Sequence, residues 1–355
     1  MYLEKKSINN LKGILMESNK NKFLVIDSRP YGLFSIFLHT IDNIKWAEDN
    51  NYVPFVRWGP GRIDVNKNRP GAEEATINGD PKYVGLEPNL LQLENQSEVQ
   101  KSLYCSDKVE NVWEYLFNQI TDVSLEQVIT SHHKISDIFQ VGFHDLKINS
   151  LKDKFIIFNL HSYTPLNIWL YFAQSNKDIF YNHRKQVNYF IEKYVKVKDN
   201  IQQEVIDFKN KYFTDQMIGV HIRGTDKKTE SAIGQRPYIY IDDYINCIKD
   251  ELKEKPKATL FVASDNNEAI EKIFKTFKNN KIVVSNCTRM KKYSSKTPIH
   301  LSSFGGPEAA KEALVDCMLL SSCSHIICTD SNLSAAALYF NPEASCTLVN
   351  TKTKL

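Results

Sequence analysis

The chain has 355 residues, of which 42% are hydrophobic and 25% charged; this composition excludes wholesale disorder, and the length favours two domains over a single core. Its 45 basic and 42 acidic side chains leave a net charge of +3, too little for nucleic acid or an anionic membrane surface to be the main partner. No window reaches the ~18–20 apolar residues of a membrane span, and the Lys- and Asn-rich start over residues 1–21 lacks a signal-peptide core.

In chain order, residues 22–27 (KFLVID) read as a short buried strand. Gly32 follows, and residues 33–49 place Leu33, Ile36, Phe37, Thr40, Ile41 and Ile44 on one helical face. Residues 53–58 (VPFVRW) are the next strand, which completes a βαβ unit and implies a parallel sheet. Residues 60–88, rich in Gly, Pro, Asn and Asp, read as a surface insertion. An amphipathic helix is expected over 109–120, a buried strand over 155–160, and a charged helical bridge over 182–213.

The second half alternates regularly. Apolar, β-rich runs at 217–222, 258–263, 281–285 and 325–329 are separated by helical segments at 240–253, 266–278 and 307–322, with a last helix over 331–340. That rhythm predicts a doubly wound parallel sheet. The expected architecture is therefore α/β, with an N-terminal lobe over 1–185 and a Rossmann-like lobe over 186–355. Ligands in such folds bind beyond the carboxyl ends of the strands, so attention falls on the residues there. Seven cysteines are spread through apolar stretches without a CxxC pair or a zinc-type His-Cys cluster. They read as buried, reduced thiols of a cytoplasmic protein.

His221 closes the run at 217–222, and Arg223, Gly224, Thr225, Asp226, Lys227, Lys228, Thr229 and Glu230 come next. An arginine there grips a pyrophosphate bidentately and Lys227 adds a second cation, while Asp226 and Glu230 offer a base for an acceptor hydroxyl. A solvated loop of mixed charge is the plainer alternative. Asp265, after the next strand, is either a site residue or part of a helix cap, as is Asn266. Ser331 and Asn332 open the last helix, where backbone N–H groups face an anion or merely cap. Asp316 lies inside an apolar helix; it either accepts hydrogen bonds from the N1 and N2 groups of a guanine or is a satisfied buried carboxylate.

The segment His221-Ile222-Arg223-Gly224-Thr225-Asp226-Lys227 resembles the His-x-Arg-Arg-Thr-Asp-Lys motif of the α1,6-fucosyltransferases. Two further segments match in order, 261–266 (FVASDN) and 313–321 (ALVDCMLLS) running on to 327–332 (ICTDSN). The likeness covers about residues 218–340. It implies a two-lobed fold of the GT-B type, with two Rossmann-type lobes and a helical bridge, and inverting, metal-independent transfer from GDP-fucose. By the resemblance, the 186–355 lobe binds the donor and the 1–185 lobe takes the acceptor. Arg223 would hold the β-phosphate, His221 and Asp316 would lie against the guanine, and Ser331 or Asn332 would contact the phosphate side. Asp226 and Lys227 match positions needed for activity, and Glu230 is the nearest counterpart of the family's general base, one residue closer to the motif. Gly224 departs from the pattern, standing where the family has a second arginine.

The leading expectation is thus fucosyl transfer from GDP-fucose to a glycan hydroxyl, without metal or other cofactor, nucleic acid or a membrane span. Another nucleotide sugar on the same fold and a catalytically silent glycan- or nucleotide-binding module are the alternatives. A dehydrogenase fits poorly, because a single Gly32 follows the first strand where a glycine fingerprint is required. Trp58, Trp113 and Trp169 are candidates for a sugar platform, or for the core.

Overall fold

The computed structural model describes residues 22–28, 32–59, 104–106, 108–130, 134–136, 177–224, 238–291, 305–349 and 353–354. The insertion expected at 60–88, the strand expected at 155–160, and Trp169 lie outside them. Strand β1 (Phe23–Asp27), helix α1 (Leu33–Asp49) and β2 (Val53–Arg57) form the expected βαβ unit, and β3 (Lys134–Ser136) adds to the other edge of β1. The order is β2-β1-β3 and both pairings are parallel. Every described residue of β1 is buried, as a strand covered on both faces requires.

The helix expected at 109–120 is shorter, α2 (Val112–Leu116), followed by α3 (Leu125–Thr130). Asn111 caps α2 by accepting from the Trp113 amide, and Phe117 has left helical geometry to bridge Val197. The helical bridge is two helices, α4 (Lys177–Tyr194) and α5 (Asp199–Tyr212), and the division expected after residue 185 falls within α4.

The second sheet contains β4 (Met217–Ile222), β5 (Thr259–Ser264), β6 (Ile282–Val283), β7 (His325–Cys328), β8 (Ser345–Leu348) and β9 (Thr353–Lys354). Between them run α6 (Ile241–Glu254), α7 (Asn267–Thr276), α8 (Pro307–Ser321) and α9 (Asn332–Phe340). The order β6-β5-β4-β7-β8-β9 is parallel as far as β8, and β9 is antiparallel. The chain winds from β4 toward one edge and then returns through α8 to wind toward the other. The winding reverses between β4 and β7, and their carboxyl ends flank the crevice where such sheets take ligands.

The pleat decides which way each β4 side chain faces. Ile218, Val220 and Ile222 pack with α6 and α7 residues such as Tyr244 and Ile273. Met217 faces the opposite layer, shared with α1, α4, α8 and α9. Gly219 on that side lets α8 approach: a Cβ there would meet Leu320 Cδ2 at 3.0 Å and Cys323 Sγ at 3.2 Å. His221, two residues on, faces the same layer and meets α9.

That shared layer joins the two sheets. Phe37 of α1 stacks on Phe340 of α9 with ring centroids 5.6 Å apart. Glu48 of α1 receives Lys193 Nζ at 2.8 Å and Tyr194 Oη at 2.5 Å from α4. α4 also holds α9 and the segment after it, with His183 Nε2 3.2 Å from Tyr339 Oη and Arg184 Nη1 donating to Ala344 O at 2.8 Å. Trp58 and Trp113 are fully buried, 5.1 Å apart in an edge-on pair. They belong to the core and cannot form an exposed sugar platform.

Candidate active site

Helix α9 opens at Ser331, whose hydroxyl accepts from the Ser334 amide at 3.2 Å, a side-chain cap for a run of small residues. This puts two hydroxyls against β4. His221 Nδ1 lies 2.7 Å from Ser334 Oγ and 3.2 Å from Ser331 Oγ, and all three residues are buried. His221 and Ser331, two residues expected to serve the donor, are thus brought together at the reversal point of the sheet. Asn332, beside them, has a buried side-chain oxygen without a hydrogen-bond partner among the described residues.

Beyond His221 the chain leaves β4 through Arg223 and Gly224. The Gly224 amide donates to Asp265 Oδ1 at 3.0 Å, and Arg223 Nη1 lies 3.8 Å from Asp265 Oδ2. One carboxylate at the end of β5 therefore holds both the backbone and the guanidinium at the end of β4. The Arg223 side chain is 29% exposed and that of Asp265 15%, so Asp265 fixes one flank of a partly exposed guanidinium. Tyr244 of α6 donates to Thr329 Oγ1 at 3.3 Å. Its complete burial pushes the phenol pKa up, so it is a neutral strut at every physiological pH. The sequence reading missed Tyr244, which sits on the apolar face of an amphipathic helix and has the signature of core.

Asp316 of α8 forms a second cluster. Its Oδ1 accepts a hydrogen bond from the Ser285 hydroxyl and its Oδ2 takes the Cys287 thiol at 3.4 Å. Burial pushes its pKa up to about 6, against the lowering effects of the Ser285 bond, the Arg289 charge and the Cys287 bond; Glu312 raises it further. A carboxylate oxygen has two lone pairs, so each Asp316 oxygen retains one acceptor site. Cys287 is itself pushed up to about 12 by burial and the Asp316 charge, so it remains a thiol donor.

The two clusters meet in the segment 285–290. Met290 N donates to Asp265 O at 2.8 Å, and Met290 O accepts from Asn267 N at 2.8 Å. Asn266, the residue after Asp265, caps α7 by accepting from Ala269 N at 3.0 Å and also reaches Met290 O at 3.3 Å. Of these neighbours, Asn266 is the cap of α7, and Asp265 contacts the backbone and side chain that leave β4.

Asp226, Lys227 and Glu230 lie outside the described residues. Among the described residues no group of three or more His, Cys, Asp or Glu side chains is arranged to hold a metal ion, and no helix is long and apolar enough to cross a membrane. All seven cysteines are free.

Comparison with known proteins gives one family. Residues 109–334, more than half of the chain, match the family described as alpha-(1,6)-fucosyltransferase N- and catalytic domains. None of the curated proteins matches the chain in sequence. Among solved structures, fucosyltransferase NodZ from Bradyrhizobium shares 13% identity over 94% of this chain and 97% of its own, with a TM-score of 0.48. NodZ alpha-1,6-fucosyltransferase soaked with GDP-fucose gives 14%, 93%, 95% and 0.48 in the same terms. POFUT1 in complex with GDP-fucose gives 12%, 92%, 96% and 0.41.

Proposed function

Because this chain belongs to the family of alpha-(1,6)-fucosyltransferase N- and catalytic domains, we propose that it transfers fucose from GDP-fucose to a hydroxyl of a glycan acceptor. The observation that carries the reading is the anchored arginine: Arg223 at the end of β4, flanked by Asp265 and two residues beyond His221, which meets the capped start of α9. A departing diphosphate gains negative charge in the transition state, and a pre-oriented guanidinium with helix N–H groups stabilises it.

In this proposal the acceptor oxygen attacks C1 of fucose in line as the bond from C1 to the β-phosphate oxygen breaks. The electron pair of that bond leaves with GDP, C1 inverts, and the acceptor proton passes to a carboxylate, Glu230 or Asp226. Arg223 and Lys227 are assigned to the leaving group, Ser331 and Asn332 to its phosphate side, and His221 and Asp316 to the guanine. The lone pairs left on Asp316 suit the paired N1 and N2 donors of that base. With cations and helix dipoles supplying the positive charge, the mechanism needs no metal, and transfer should persist in a chelator. The N-terminal lobe, 1–185, is assigned to the acceptor and the lobe 186–355 to the donor. Free thiols, five of seven of them buried, suit the cytoplasm as the site of reaction.

Titration calorimetry with GDP and UDP tests the donor assignment, with tighter binding of GDP expected. Preference for UDP would remove the guanine assignment and point to another sugar on the same fold. Donor hydrolysis without acceptor separates an active enzyme from a silent binding module.

A further inference from the structure

Segment 285–290 follows the edge strand β6, and its shape depends on one side chain. Arg289 donates from Nη2 to Ser285 O at 2.8 Å and to Ser285 Oγ at 3.3 Å, and from Nη1 to Cys287 O at 3.0 Å. The guanidinium thus folds the segment back on itself, and the two residues it grips are the two that donate to Asp316. Thr288, between Cys287 and Arg289, is pinned to α8 through Glu312, which accepts from its amide at 2.9 Å and its hydroxyl at 3.3 Å. Met290, the residue after Arg289, fastens the segment to Asp265 and Asn267.

We propose that Arg289 is a positioning residue for nucleobase selection: by holding Ser285 and Cys287 on the outer lone pairs of Asp316, it leaves the remaining pair aimed at the two adjacent N–H donors of a guanine. The inference rests on the assignment of Asp316 to the base under Proposed function. The chemistry is geometric. A carboxylate that rotates freely presents either face, whereas one fixed through both oxygens presents a single bidentate edge. Lysine in place of Arg289 keeps a nearby positive charge but loses the planar fork that grips two carbonyls at once.

The test is titration calorimetry of the full chain with GDP, with inosine diphosphate, which lacks the 2-amino group, and with inorganic pyrophosphate. The native chain is expected to prefer GDP to inosine diphosphate by about tenfold or more, the effect of one hydrogen bond to a charged group. Arg289→Ala should bring that preference to within about twofold and leave pyrophosphate affinity unchanged, since the Met290 main-chain bonds persist. Arg289→Lys should give an intermediate preference. A general loosening of the fold would weaken all three ligands together and leave the ratio intact. Retention of the native GDP preference in folded Arg289→Ala overturns the proposal. If that variant does not fold, Ser285→Ala removes one donor to Asp316 and must lower the same ratio, and an unchanged ratio again overturns it. A native chain that binds pyrophosphate but shows no GDP binding beyond it contradicts the base assignment itself, a result distinct from failure of Arg289.

Discussion

Replacing Asp265 with alanine removes the contacts its carboxylate makes with Gly224 and Arg223. The hydrogen bond from the Gly224 amide, 3.0 Å long, is charge-assisted and contributes about 1.5–3 kcal/mol. The Arg223 contact at 3.8 Å joins side chains 29% and 15% exposed, and solvent screening reduces it to about 1 kcal/mol or less. Without both, the turn after β4 must be ordered again each time donor binds, and the loss appears in kcat/KM. The expected loss is about 2–4 kcal/mol, roughly 30- to 1,000-fold. Asp265→Asn keeps an acceptor for the Gly224 amide and loses only the charge, so it should lose about 1–2 kcal/mol, roughly 5- to 30-fold. The assay is initial-rate GDP release with saturating acceptor and varied GDP-fucose, alongside a thermal melt to show that each variant is folded. A folded Asp265→Ala within about twofold of the native kcat/KM would refute the idea that this carboxylate organises Arg223.

Arg223→Ala should lower kcat by about 3–4 kcal/mol of transition-state stabilisation while the thermal midpoint changes little, and a near-native rate would remove its leaving-group role. Asp316, raised to about 6 by burial, makes the free protein less stable as pH rises from the ordinary carboxylate range through 6, because ionisation is easier in the unfolded chain. GDP binding should run the other way, weakening as pH falls below about 6 and the acceptor edge is protonated. Asp316→Asn should therefore raise the melting temperature of the free protein at pH 7 and abolish the preference for GDP; calorimetry and a melt at two pH values check both. Gly219→Val should destabilise the chain by about 1–3 kcal/mol, since its side chain would enter the space of Leu320 and Cys323. A melting temperature equal to the native one would show that α8 can withdraw.

Elements with strong periodicity were legible at the level of single residues. Helix α1 and strand β4 run as the apolar pattern of 33–49 and 217–222 predicts, because each buries nearly every side chain and leaves the pattern no competing signal. The helix expected at 109–120 contracted because its end is governed by distant partners: Asn118 donates to Lys196 O, and Phe117 bridges Val197. Strand β8 went unrecognised because its four residues, SCTL, mix polar and apolar types and begin at an exposed serine. The sequence names the local donors and acceptors as chemistry, yet their pairing is not readable in it. His221 meets Ser334 across 113 positions of sequence, a contact decided by the order of β4 and β7. Arg289 and Tyr244 were missed for the same reason, since one lies in a polar loop and the other on an apolar helical face. Only the crossovers of the sheet bring Tyr244 to Thr329 and the segment held by Arg289 to Asp316.

The most direct test of fucosyl transfer is incubation of the chain with GDP-fucose and an array of oligosaccharides, with products weighed by mass spectrometry. Fucosyl transfer gives an acceptor heavier by one deoxyhexose residue, formed in the presence of chelator and lost in Arg223→Ala. Transfer from a different nucleotide sugar while GDP-fucose yields none, or equal product from Arg223→Ala, would contradict it.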